Sequence, residues 1–153
     1  MLVADGLLGD EEAPRVLDLY AGSGALALEA LSRGASAAVL VEHAREAVSS
    51  IRDNARSLGA ESEVLVFDTK VERALGKIEG PFGVVFLDPP YADVVTPGFA
   101  NVLAAAAALL APGGALVLEH GSSDAAPAIA GLDLDRSRRY GDTTLTLYRC
   151  CRT

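Results

Sequence analysis

Tryptophan is absent from the 153-residue chain, and aromatic residues make up only 5% of it. Half of the residues are nonetheless hydrophobic, chiefly Ala, Leu and Val. That balance excludes a disordered chain and suits close packing of helices on a sheet. The only two cysteines, Cys150 and Cys151, are neighbours. Adjacent cysteines rarely bridge, and in a strand they point to opposite faces, so two structural thiols in a reducing compartment are expected. His43 and His120 lie far from each other and from both cysteines, which leaves no metal-ligand spacing and no metal expected.

A basic leader is missing too. Residues 1–12 hold Asp5, Asp10, Glu11 and Glu12 with no base, which argues against a signal peptide. The stretch 102–118 carries no charge, but Pro112-Gly113-Gly114 divides it into pieces too short to cross a bilayer. A soluble cytoplasmic protein without membrane contact is expected. Net charge is −8, which excludes a broad phosphate-binding surface. The charge is uneven, however. Arg136, Arg138, Arg139, Arg149 and Arg152 face a single acid, Asp142, over residues 136–153. Any nucleic-acid footprint should include that end.

Short apolar runs alternate with helical patterns, as in a parallel sheet with crossover helices. Strands are predicted at 15–21, 37–42, 64–68, 82–88 and 115–120, with two more at 132–140 and 143–150. The first helix should turn Leu26, Ala27, Ala30 and Leu31 inward and stop near Gly34. The second should bury Ala47, Val48, Ile51, Ala55 and Leu58, the third is short and charged, and the fourth carries Phe99, Val102, Leu103, Ala106, Leu109 and Leu110 on one face. Only Gly141-Asp142 separates the last two strands, which makes them an antiparallel hairpin. The expected fold class is therefore α/β, a Rossmann-like sheet of seven strands closed by a C-terminal antiparallel hairpin, in one domain over 1–153.

In an open α/β sheet, ligands bind beyond the carboxyl ends of the strands. Three strand ends here carry ligand chemistry. The segment Asp18-Leu-Tyr20-Ala21-Gly22-Ser23-Gly24 gives a tight turn onto a helix N-terminus, with Asp18 able to hold a ligand ammonium directly or through water. Glu42 ends the second strand 24 residues later, where a carboxylate can accept both hydroxyls of a ribose, and His43 follows it. Asp68, with Thr69, ends the third strand, where a carboxylate can receive an adenine amino group.

The fourth strand ends in Asp88-Pro89-Pro90-Tyr91. Consecutive prolines hold the backbone extended and remove two N–H donors, so an acceptor-rich edge remains, made of the Asp88 carboxylate and the proline carbonyls. Such an edge suits a flat amino group. Fixing both N–H bonds aims the lone pair at an electrophilic methyl, while Asp88 stabilises the charge that develops on nitrogen. Tyr91 offers a face for a base to stack on. These features call for a methyl donor and an amino acceptor.

The segments VLDLYAGSGALALEALSRGA, FLDPPY and RRYGDTTLTLYR resemble the RsmD-like 16S rRNA guanine-N2-methyltransferase family of class I S-adenosylmethionine-dependent enzymes. The likeness runs from about Arg15 to Arg149. It implies the seven-stranded sheet and a guanine N2 acceptor in ribosomal RNA, on the small subunit or an assembly intermediate; a monomer is expected. Family members carry a basic N-terminal extension ahead of the first strand. The 14 residues before Arg15, four of them acidic and none basic, do not match it. RNA contact is assigned to Tyr91, Arg138, Arg139 and Tyr140, although an Arg pair on an edge strand also serves simply to block edge pairing. Two other functions stay open. One is methylation of adenine N6 or a glutamine amide, in families that usually show Asn at the position of Asp88. The other is a Rossmann-like binding domain without catalysis.

Overall fold

The computed structural model describes residues 13–151. The acidic leader and Arg152 lie outside them. Strands β1 (Arg15–Asp18), β2 (Ala37–Glu42), β3 (Val64–Asp68), β4 (Phe82–Leu87), β5 (Leu110–Gly121), β6 (Leu132–Tyr140) and β7 (Thr143–Cys150) form one sheet, in the order β3-β2-β1-β4-β5-β7-β6. The first five run parallel, and β7 is antiparallel to both β5 and β6. The expected seven-stranded α/β sheet with its closing hairpin is present.

Helices α1 (Ala25–Ser32) and α2 (Arg45–Ser57) cover one face, packing Ala27, Ala30 and Ile51 on Val16, Leu40, Val84 and Phe86. Helices α3 (Val71–Ala74) and α5 (Phe99–Ala108) cover the other, where Val71, Phe99, Val102 and Leu103 pack on Leu17, Val39, Val85 and Leu116. Covering both faces explains why β4 reads as a continuous apolar run. The chain leaves β1 towards β2 and β3, then returns to β4 on β1's other side. The strand order reverses between β1 and β4, and a crevice opens beyond their carboxyl ends. A fifth helix, α4 (Tyr91–Val94), stands at that crevice.

The sequence reading needs several corrections. Strand β1 stops at Asp18, the last residue paired with both β2 and β4. Beyond it Leu19 N–H still bonds the Phe86 carbonyl and Ala21 N–H that of Val41, both at 3.0 Å, but Leu19 and Tyr20 form a turn. On α1 the buried residues are Ala27, Leu28 and Ala30, with Leu26 and Leu31 only partly covered. Leu58 is 64% exposed, since α2 ends one residue before it. Leu109 lies past the end of α5, and its carbonyl accepts the Phe82 N–H at 2.8 Å. Strand β5 begins at Leu110 rather than Ala115, and the intervening turn bulges out between the pairs Phe82–Leu110 and Val84–Ala115.

The hairpin is anchored from below by polar contacts. The buried His120 ring meets the Thr146 hydroxyl at 2.7 Å, and Thr146 meets Ser137 at 2.9 Å. Tyr148, on β7, fills the core and donates its hydroxyl to the Pro127 carbonyl at 2.6 Å. Removing only that hydroxyl with Tyr148→Phe should lower stability by about 1 kcal/mol, read as a lower urea midpoint with an unchanged slope.

Candidate active site

The glycine loop is shaped by one carboxylate. Glu42 Oε1 accepts the Gly22 N–H at 2.9 Å, and Oε2 accepts those of His43 at 3.1 Å and Ala44 at 2.9 Å. Glu42 therefore ties the β1–α1 turn to the start of α2. Gly22 and Gly24 both take positive φ, 57° and 82°, which side chains rarely adopt. A Cβ on Gly24 would also come within 3.1 Å of Leu40 and 3.2 Å of Ile51. A carboxylate has about four lone-pair sites. With three N–H groups bound, Glu42 has room for about one ribose hydroxyl, on Oε1, rather than the two expected from sequence.

Asp18 is 1% exposed, and its Oδ1 has no hydrogen-bond partner among the described residues. Burial, countered in part by the Tyr20 N–H and reinforced by the charges of Asp88 and Glu42, pushes its carboxyl up to about 7. The Tyr20 hydroxyl is likewise buried without a partner. Burial, with the charges of Glu72 and Asp93, raises the phenol above its usual range. Of the two orphaned groups, Tyr20 lines a crevice and Asp18 is buried outside its lining. A phenol O–H there fits the carboxylate of an amino-acid ligand such as S-adenosylmethionine, and Asp18 could meet its ammonium only through water.

A hollow of about 870 Å³ opens there, lined by Tyr20, Gly22, Glu42, His43, Asp88, Pro89, Pro90 and Tyr91, among others. It unites these eight of the residues singled out in the sequence, whereas Asp18 is buried and outside the lining. Ala21, Ser23 and Gly24 shape the turn without lining it. Asp68 and Thr69 end β3 outside the lining. Lys70, Val71 and Glu72, just after them, take that wall instead.

The proline edge differs in detail from expectation. Pro90 is extended (φ −55°, ψ 140°) and starts α4, and its carbonyl accepts the Asp93 N–H at 2.9 Å. The acceptors left to a substrate are the Asp88 carboxylate and the Pro89 carbonyl. Tyr91 is 50% exposed, and its hydroxyl meets Thr143 Oγ1 at 2.7 Å. The ring is thus pinned to the C-terminal hairpin.

Arg138, Arg139 and Tyr140 lie exposed on edge strand β6, away from the large hollow. Arg139 lines a smaller depression of about 340 Å³ beside Tyr91, with its Nε donating to the Gly141 carbonyl at 2.8 Å. One site residue escaped the sequence reading. Glu119 of β5 hydrogen-bonds the Asp88 side chain; that bond, then burial and Asp88's charge, pushes its carboxyl up to about 7. No motif marks Glu119, because only strand register brings it to Asp88. Among the described residues no three acids, histidines or cysteines are grouped to hold a metal, and no helix is long and apolar enough to cross a membrane.

The sheet order, the hairpin and the glycine turn at the switch point define a class I methyltransferase fold. Comparison with known proteins agrees. The family described as "Conserved hypothetical protein 95" matches residues 6–149. The chain is 33% identical over 139 residues to "Putative rRNA methyltransferase YlbH" of Bacillus subtilis, a match covering 88% of this chain and 75% of that protein. It is 40% identical over 75 residues to "Ribosomal RNA small subunit methyltransferase D" of Escherichia coli, covering 49% of this chain and 37% of the relative. A solved structure, "Putative methyltransferase yhhF from Escherichia coli", is 29% identical with a TM-score of 0.83, covering 99% of this chain and 82% of that one. The chain belongs to this family, the RsmD- and YlbH-like class I S-adenosylmethionine-dependent methyltransferases.

Asp18 makes stability depend on pH with a definite sign. Its carboxyl holds a proton up to about pH 7 when folded but releases it near 3.8 when unfolded. The folded state therefore binds more protons across that window, and stability falls as pH rises through it. Asp18→Asn removes this loss, so the variant should gain on the wild type from pH 4 to pH 7 and hold that gain above. Urea unfolding at stepped pH measures it. A constant difference would contradict the assignment.

Proposed function

We propose that this protein transfers a methyl group from S-adenosylmethionine to the exocyclic N2 of a guanine in small-subunit ribosomal RNA. The observation that carries this reading is the shared hollow, which joins the glycine turn and Glu42 on one side to Asp88, Pro89 and Tyr91 on the other. The names of the relatives support the RNA substrate.

S-adenosylmethionine, when bound, supplies an electrophilic methyl group on a sulfonium. Tyr20, and Asp18 through water, would hold its amino-acid end, and Glu42 one ribose hydroxyl. Gly22 and His43 would form the wall beside the sugar, and the β3 end with Asp68 and Thr69 would lie towards the adenine. Tyr91 stacks the acceptor base. Asp88 and the Pro89 carbonyl hold the two amine hydrogens, which turns the nitrogen lone pair out of the ring plane. As positive charge develops on nitrogen, Asp88 stabilises it.

A carboxylate only accepts hydrogen bonds, whereas a side-chain amide both accepts and donates. Guanine presents adjacent donors, N1–H and the N2 amine, and Asp88 matches that edge. Adenine presents an amine beside the N1 acceptor, which an Asn would match better. This comparison favours guanine over adenine. Arg138, Arg139 and Tyr140 would guide the RNA beside Tyr91 as a monomeric enzyme docks on its substrate.

The test is to incubate the full chain with labelled S-adenosylmethionine and 16S rRNA or small subunits, then digest and identify the product. N2-methylguanosine is expected; N6-methyladenosine, methylglutamine or no transfer would refute the reading. Asp88→Ala should slow transfer by at least about a hundredfold, with cofactor affinity by calorimetry held within a few-fold. Tyr91→Phe and Thr143→Val remove the same hydrogen bond. Each should cost about 1 kcal/mol in kcat/KM, and the double variant little more than either alone.

A further inference from the structure

Strands β4 and β5 run parallel with Leu87 beside Leu118, so the next residues, Asp88 and Glu119, emerge side by side at the carboxyl end of the sheet. Two carboxylates so placed repel each other. One proton shared between the two side chains replaces that repulsion with a hydrogen bond, the first cause of the raised Glu119 pKa. Among the described residues, no other hydrogen bond holds the Asp88 carboxylate. An exposed carboxylate at a strand end is otherwise free to rotate, and precise aim at an amine requires a second contact.

Across from Glu119, β7 presents Leu145, with Thr144 and Thr143 at the next two positions. One strand further, β6 presents Arg138 opposite Leu145. The neighbouring helix α4 carries Tyr91 and Asp93, and β1 carries Asp18, which feels the charge of Asp88. His120 is engaged elsewhere, with Thr146.

We propose that Glu119 is a positioning residue for the acceptor site: its protonated carboxyl donates to one oxygen of Asp88 and so directs the other oxygen at the acceptor amine. This role rests on the amino-methyltransferase reading above. The hydrogen bond to Asp88, followed by burial and by Asp88's charge, pushes the Glu119 carboxyl up to about 7. The bridging proton is therefore present below about pH 7 and lost above it. Losing it leaves two repelling anions and frees Asp88 to swing.

The pair can be read without any methylation. Carboxyl carbon NMR on the full chain should show one Glu titrating near pH 7, missing in Glu119→Gln and back in the ordinary carboxylate range in Asp88→Asn. Single-turnover methylation at saturating S-adenosylmethionine then reads the role. The wild-type rate should fall as pH rises through about 7. Glu119→Gln donates at every pH, so its rate should stay within about threefold of the wild-type acidic plateau and lose that fall. Glu119→Leu should be at least about tenfold slower with unchanged cofactor affinity. The proposal is overturned if Glu119 titrates in the ordinary range, if Glu119→Gln still slows through neutrality, or if Glu119→Leu keeps the wild-type rate. If the shared proton is seen but wild-type protein methylates no amine, the proposed function has failed, and this role falls with it.

Discussion

Four carboxyl groups converge at the ends of β1, β2, β4 and β5, in a protein that already carries a net charge of −8. Holding them together without mutual repulsion is the constraint on which the site depends. Each is relieved differently. Asp18 takes up a proton through burial, Glu42 is solvated by three backbone N–H groups, and Asp88 with Glu119 share one proton. An open α/β sheet allows this, because its switch point collects strand ends while leaving space above them for a ligand. A cationic cofactor is the electrostatic complement of such a mouth, and its arrival would strengthen the charged forms that burial suppresses.

Glu42 shows how local and global order depend on each other. Its carboxylate closes the β1–α1 turn and the β2–α2 turn together. The turn accommodates it because Gly22 and Gly24 adopt positive φ and Gly24 offers no Cβ to collide with Leu40 and Ile51. Closing the two turns and the proposed contact with a ligand, which look like competing readings of a strand-terminal acid, fall to one side chain.

Much of the fold was legible because its signals are local. The bounds of β2 and β3 follow from apolar runs, and the Gly141-Asp142 turn dictates the final hairpin of β6 and β7. Asp18, Glu42 and Asp88 were legible as acids that end apolar runs. Features set by distant partners were not. Leu58 looks like one more apolar position on α2, but the helix ends before it. Pro90 looks like a free acceptor until the short helix after it claims its carbonyl. Glu119 carries no motif, since register with β4 alone brings it to Asp88. The tether from Tyr91 to Thr143 spans 52 positions and no pattern within either segment reveals it.

That tether also orders events in time. During synthesis the cofactor turn, Glu42 and the proline edge all leave the ribosome before the hairpin that holds Tyr91 in place. The contact between Tyr91 and Thr143 can form only once β7, the last strand made, lies between β5 and β6. The proline edge therefore waits on the end of the chain for its final support.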